Sequence, residues 1–241
     1  AFKDPSIIHV ENSVDPLRDL KIINLELALK DLESVGKALD RAESEAKAGK
    51  KEAIGDFNLL QKMRAHLETG YPLASSDNLI SLIRANKRIT EMNPLTAKPQ
   101  IYLLNGAETD VAPTLLEEIK KLGAVYLVAD LGKGESVPEL IKKAYAILGL
   151  ISFFTTGEDE TRAWTCLAGT SAPQAAGVIH TDFEKNFIRA EVINWQKLLE
   201  VAHSASSGQG AWSTAKQKGL IRLEGKEYVV QDGDVIIVRH G

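Results

Sequence analysis

The sequence predicts an α/β protein in three stretches: a helical hairpin, a short parallel-sheet segment and a mixed sheet of short strands. Three observations carry this reading. From Asp15 to Glu68 apolar residues recur three or four apart, the period of one helix face. From Gln100 to Leu148 two short apolar runs alternate with amphipathic stretches, as strands and helices do around a parallel sheet. After Gly149 short apolar runs follow one another with turn residues between them.

The first helix is expected from about Asp15 to Ala48. Asp15 suits the N-cap, and Pro16 suits the first helical position, where its missing N–H costs nothing. Leu25, Leu29, Leu32, Val35, Leu39, Ala42 and Ala46 approach the heptad seam of a coiled coil. Gly49 breaks the pattern. A second helix, about Glu52 to Glu68, places Ile54, Phe57, Leu60 and Leu67 on one face, and Gly70-Tyr71-Pro72 stops it. The pair reads as an antiparallel hairpin. A third helix is expected over about Asn78 to Lys87.

Gln100 to Asn105, with Ile101-Tyr102-Leu103-Leu104, suits a buried strand, and Ala124 to Val128 suits a second. Helices are expected at Pro113 to Leu122, carrying Leu115, Leu116 and Ile119, and at Val137 to Leu148. Two strands do not make a stable sheet alone. This piece therefore needs partner strands that the chain does not supply.

In the last stretch, strands are expected at Ile151–Thr155, Arg162–Leu167, Ile188–Ile193, Leu220–Leu223, Glu227–Val230 and Val235–Val238. One helix, Trp195 to Ala202, interrupts them, and Asp232-Gly233-Asp234 is a tight-turn signal. His203 to Thr214, rich in Ser and Gly, reads as a mobile loop.

Composition narrows the function classes. A net charge of −4 over 241 residues gives no overall attraction to DNA, RNA or acidic membrane surfaces. Ile151 to Gly241 holds 11 acidic and 9 basic residues, so RNA contact there needs a local patch, with Lys216, Lys218 and Arg222 the late cluster. No apolar run approaches the roughly 18 residues of a membrane span. The single cysteine, Cys166, leaves no internal disulfide and fits a reducing, cytoplasmic setting. The chain opens on Ala1 without Met, as though in the middle of a fold.

A phosphate-cradling GxxxxGK[ST] loop is absent, and Gly132-Lys133-Gly134 reads as a turn. Asn105-Gly106-Ala107-Glu108 is more informative. It follows a buried strand directly, at the carboxyl end where α/β sheets bind ligands, and an Asn amide offers a donor and an acceptor to a purine edge. The bland alternative is a turn or helix cap. His9, in the extended run Ile7-Ile8-His9-Val10-Glu11, reads locally as a packed or surface residue. His66, His180, His203 and His240 show no metal-ligand spacing. Cys166 with His180 is a conceivable nucleophile pair, against the simpler reading of a core thiol. Glu158-Asp159-Glu160 reads as a solvated turn.

Three stretches together resemble the Obg-like ATPase family of the YchF type. They are His9-Val10-Glu11 through Val14-Asp15-Pro16 to Ile23-Asn24-Leu25-Glu26-Leu27, then Leu95-Thr96-Ala97-Lys98-Pro99 with Asn105-x-x-Glu108. The longest and most specific runs from Phe153-Phe154-Thr155 and Arg162-Ala163-Trp164-Thr165 to Ala172-Pro173-Gln174 and His180-Thr181-Asp182-Phe183-Glu184-Lys185, closing with Tyr228 to Asp234. The resemblance covers nearly the whole chain.

It implies a P-loop nucleotide-binding domain in part (1–14 and 96–150), an inserted helical coiled-coil domain (15–95) and a TGS domain of β-grasp type (151–241). It implies an ATP hydrolase, with GTP as a further nucleotide, Mg²⁺ accompanying ATP, and the ribosome or ribosomal RNA as partner. Asn105 would contact adenine, Gly106 would lie against it, and Glu108 would stand where GTPases carry the guanine-reading Asp. Ala129 would lie beside the base, as an imperfect match to the family's Ser-Ala pair. His9 would act near the γ-phosphate as the catalytic group. Three departures stand out: the missing P-loop, Gly106 in place of a larger apolar residue, and the shortened Ala129 to Ser136. The ligands of Mg²⁺ would lie upstream of Ala1. The alternative reading is a non-catalytic ribosome- or protein-binding module.

Overall fold

The computed structural model describes residues 13–130, 136–157, 160–204 and 210–241. The chain divides into two compact units between Ala144 and Tyr145.

In the first unit α1 (Pro16–Lys47) and α2 (Lys51–Leu67) form the expected hairpin. The Arg18 N–H donates to Asp15 Oδ1 at 3.1 Å, with Pro16 in the first turn. A cap of this kind contributes about 1 kcal/mol. The buried stripe differs from the expected leucine seam. Val35 and Ala42 of that seam are buried, but Leu25 and Leu29 are each 50% exposed, and Asn24, Ala28 and Asp31 are buried in their place. Buried polar groups persist only when their hydrogen bonds are met. Here the Tyr102 hydroxyl donates to Asn24 Oδ1 at 2.8 Å, and Asp31 accepts from Leu95 and Thr96. On α2 Ile54 is likewise exposed, with Leu59, Leu60, Met63 and Leu67 turned inward.

The expected third helix is two helices, α3 (Asp77–Ala85) and α4 (Lys87–Glu91). Asn86 separates them in extended backbone, and its side-chain oxygen accepts from the Ile89 N–H at 3.2 Å, capping α4. The Asn86 amide also donates to the buried Asp56 at 2.6 Å, and Arg88 bridges Asp56 and Glu45.

β1 (Ile101–Asn105) and β2 (Val125–Ala129) pair in parallel over five residues, Ile101 opposite Val125 and Asn105 opposite Ala129. Between them α5 (Pro113–Lys121) makes the crossover, and α6 (Val137–Leu148) follows. Leu20 of α1, Leu104 of β1, and Leu115, Ile119 and Leu122 in and just after α5 form one apolar cluster. The hairpin thereby anchors on the strand that ends at Asn105.

The second unit holds β3 (Leu150–Thr156), β4 (Thr161–Leu167), α7 (Ala172–Ile179), α8 (Thr181–Lys185), β5 (Phe187–Asn194), α9 (Trp195–Ser204), α10 (Ala211–Gln217), β6 (Arg222–Glu224) and β7 (Asp234–His240). The sheet order is β4-β3-β7-β5-β6. β3 and β7 are parallel and the other neighbours antiparallel. One core gathers Phe153, Cys166, Ala175, Ala190, Val192 and Ile236. A second joins Ile193, Val201, Ala215 and Val235, with Trp212 packed against it.

Sequence periodicity missed several features of this unit. α7, α8 and α10 join the one expected helix, so Ala211 to Thr214, read as loop, is helical. Alanine-rich α7 is apolar enough to look like a strand or a turn, and packing decides it. Glu227 to Val230 forms no strand. Its backbone instead straps the start of α7, where the Ala172 N–H donates to Tyr228 O and the Val230 N–H to Thr170 O. The Asp232-Gly233-Asp234 turn is present but closes no hairpin. Its Gly233 N–H donates to Ser152 O at 2.8 Å, and the Ser152 N–H donates to Asp232 Oδ1 at 2.8 Å. Gly233 has φ +82°, and a Cβ there would stand 2.5 Å from the Trp195 ring.

Candidate functional site

The carboxyl ends of β1 and β2 bring three of the sequence-predicted residues together. Asn105 registers with Ala129, and the Gly106 N–H donates to Ala129 O at 3.1 Å. Ala129 is buried and Asn105 half-buried. Parallel pairing places both residues at one end of the sheet, where side chains and freed backbone groups converge. Gly106 has φ +144°, a region that favours glycine. The larger apolar residue that the resemblance leads one to expect here would be strained on this backbone.

Glu108 stands apart from this junction. It opens a short 3₁₀ turn, Glu108–Asp110, and is exposed. The turn is held from within, since the Ala107 N–H donates to Asp110 Oδ2 at 3.1 Å. The arrangement presents an amide-bearing side chain and a glycine backbone at the strand ends, with a carboxylate two residues beyond Gly106. His9 and Gly132-Lys133-Gly134 lie outside the described residues. A cleft of about 520 Å³ lined by Leu116, Lys120, Tyr126 and Lys143 lies toward the other end of β2 and does not include these residues.

The remaining candidates resolve differently. Cys166 is buried in the second unit's core, and burial pushes its thiol up from the ordinary value. That disfavours the thiolate a nucleophile needs. His180 is exposed and accepts from the Asp182 N–H. The late basic cluster is not a free patch. Lys216 reaches Glu191 at 3.5 Å, and Arg222 reaches Glu224 and Asp234 at 3.4 Å each. Glu191 is buried on β5 and also accepts from Arg239, at 3.1 Å, and Trp212, at 3.3 Å. Burial pushes its carboxyl up, but Arg239, Trp212 and Lys216 more than offset this and hold it below the usual carboxylate range. Among the described residues no three His, Cys, Asp or Glu side chains group as metal ligands, so none is assigned to Mg²⁺. No described helix is long and apolar enough to cross a membrane.

Comparisons with known proteins bear on the family. The family model YchF-GTPase_C, described as a protein of unknown function (DUF933), matches residues 150–241. The ribosome-binding ATPase YchF of Bacillus subtilis is 38% identical over 269 residues, covering 99% of this chain and 70% of that protein. The Obg-like ATPase 1 of Homo sapiens is 36% identical over 276 residues, covering 99% and 66%. The solved structure of the Schizosaccharomyces pombe YchF GTPase superposes with a TM-score of 0.68 at 32% identity, over 98% of this chain and 69% of that one. The sequence resemblance and these matches along nearly the whole chain agree, and the chain belongs to the YchF family of Obg-like ATPases.

Proposed function

We propose that this protein is a ribosome-associated ATP hydrolase of the YchF type, in which the described residues supply the base-binding end of the nucleotide site. The observation that carries the reading is the Asn105–Ala129 register, with Gly106 hydrogen-bonded to Ala129 at the carboxyl ends of two parallel strands. Its support is the likeness to proteins named ribosome-binding ATPase YchF and Obg-like ATPase 1. GTP is the further nucleotide, consistent with a relative titled a GTPase.

In this reading the Asn105 amide hydrogen-bonds the adenine edge, and the Gly106 backbone lies against the ring. Glu108 replaces the Asp that would accept two donors from guanine; adenine lacks those donors. Ala129 closes the other side of the base. His9 orients the attacking water or the γ-phosphate, a role resting on the resemblance alone. The reaction is in-line attack of water on the γ-phosphorus, where positioning and charge stabilisation dominate. Mg²⁺ bound with ATP neutralises phosphate charge. The 241 residues contain no P-loop to cradle the phosphates, so no step is assigned to their side chains there.

The domain plan is part of the same proposal: a partial P-loop domain at 1–14 and 96–150, an inserted coiled coil at 15–95 and a β-grasp TGS domain at 151–241. The strand order β4-β3-β7-β5-β6, with its parallel pair β3 and β7, supports the β-grasp assignment. The α1–α2 hairpin supports the coiled coil.

The α1–α2 hairpin and the mixed sheet of the second unit also suit a second reading, a non-catalytic module that docks on the ribosome or another protein. Titration with ATP, with and without Mg²⁺, separates the two. Binding weakened by Asn105→Ala supports the hydrolase reading, and no binding under either condition leaves the module. Turnover unchanged by His9→Ala removes that residue from the mechanism.

A further inference from the structure

The parallel pair β3 and β7 is joined along only part of its length. Its registered pairing is confined to Phe154 with Val235, preceded by the Gly233 N–H to Ser152 O bond. Continuing the register would pair Thr155 with Ile236, Thr156 with Ile237 and Gly157 with Val238. None of these pairs forms, and the same six residues line an open cleft of about 330 Å³. The sheet forks here.

Each arm of the fork is held from its outer side. Thr155 and Thr156 pair with Arg162 and Thr161 of β4, and the Trp164 indole N–H donates to Thr155 Oγ1 at 2.9 Å. Ile236, Ile237 and Val238 pair with Val192, Glu191 and Ala190 of β5. A strand inside a sheet directs its N–H and C=O groups alternately to its two sides. Pairing on the outer sides therefore leaves the inward-facing groups of both arms without a ladder. Buried or half-buried backbone groups of this kind seek partners. The cleft floor is apolar, from Ile179, Phe183, Ile236 and Val238, and Arg162 lies over the Trp164 ring at its rim, 4.3 Å from the centroid.

We infer that this fork is a docking site for an extended peptide of a protein partner. The peptide hydrogen-bonds the open main-chain groups of β3 and β7 and sets one apolar side chain on the floor. Two properties point to a peptide rather than a nucleic acid. The walls offer strand-type main chain, which an extended peptide complements along its length. Charge gives phosphate no net attraction: the cleft is lined by one acidic and one basic side chain, Glu160 and Arg162, and Arg162 lies over the Trp164 ring. The pocket lies at the small end of ligand sites, suited to one anchoring side chain. The inference is independent of ATP hydrolysis.

The test is selection of displayed random nonapeptides against the immobilised protein, followed by affinity measurement and amide-resolved NMR with the enriched peptides. The expected result is enrichment of sequences with alternating apolar positions and without central proline. Their resonance shifts should centre on Thr156, Gly157, Ile237 and Val238. Ile179→Glu and, separately, Val238→Lys should each weaken binding by about tenfold or more, as expected when an apolar anchor site is charged. Thermal unfolding of both variants establishes that they fold. No enrichment, equal binding to a folded variant, or shifts elsewhere in the chain would overturn the inference. So would oligouridylate shifting the fork amides where the peptides do not.

Discussion

Asp31 on α1 accepts from Thr96 twice, from its backbone N–H at 2.7 Å and its hydroxyl at 2.6 Å, while the Leu95 N–H donates to the other carboxylate oxygen at 2.8 Å. Residues 65 apart in sequence are thereby locked where the chain returns from the hairpin toward β1. Thr96 is wholly buried and Asp31 is 3% exposed. The Leu95-Thr96-Ala97-Lys98-Pro99 run thus has a structural explanation: its first two residues tie the chain that follows the hairpin back onto α1.

Asp31→Ala should therefore be among the most damaging single changes in the first unit. It strands three donors in the interior, and we expect a loss of about 2 to 4 kcal/mol. Urea unfolding of wild type and variant measures it. A loss below about 0.5 kcal/mol, the range of ordinary surface changes, would show that water replaces the carboxylate.

Asn105→Ala should reduce ATP affinity by about tenfold, the loss of one or two hydrogen bonds to the base. Calorimetric titration of a variant shown by thermal unfolding to be folded reads it. Unchanged affinity would remove Asn105 from the base site.

Gly106→Leu should be destabilising despite restoring family-like bulk. A residue with a Cβ at φ +144° carries strain of about 1 to 3 kcal/mol. Equal unfolding midpoints would mean the loop relaxes to another backbone conformation.

Glu191 makes the second unit acid-sensitive. Its folded carboxyl lies below the ordinary value of 4.5. Its contribution is therefore complete above that value and is lost as pH falls through the lower, folded one. Glu191→Gln should cost about 1 to 2 kcal/mol at pH 7 and flatten the acid limb of the stability curve. Unfolding measured from pH 7 to 3 checks both, and parallel acid limbs would refute the assignment.

Cys166 should be silent. Its thiol, buried and pushed up, should react with a disulfide reagent only when the protein unfolds, and Cys166→Ala should leave ATP turnover intact. Fast labelling of the folded protein would contradict this.

Much of the fold was legible locally. Asp15 and Pro16 announced the start of α1, and Gly49 and Gly70 its turn and the end of α2, because caps and breakers act through nearest neighbours. The apolar runs Ile101–Leu104 and Ala124–Val128 announced two strands, although these are only partly buried, with Val125 and Tyr126 exposed, and Asn105 was visible at the end of the first. The strap at Tyr228 and Val230 was not legible, because its backbone bonds join residues far apart in sequence, and α7 was missed because its short alanine-rich run shows little contrast between its faces.

Sequence by itself determined where the helices of the hairpin begin and end, that two short parallel strands follow, and which family pattern the chain carries. The seam positions Val35 and Ala42 are buried as the sequence predicted, but tertiary structure decided the face of the first half of α1. Asn24 and Asp31 displace Leu25 and Leu29 from the interior because Tyr102, Leu95 and Thr96 meet their hydrogen bonds. It also decided that Asn105 meets Ala129 and that β3 and β7 part beyond Phe154. Periodicity records what a segment prefers, whereas register and the partners of buried polar groups depend on chain brought in from elsewhere.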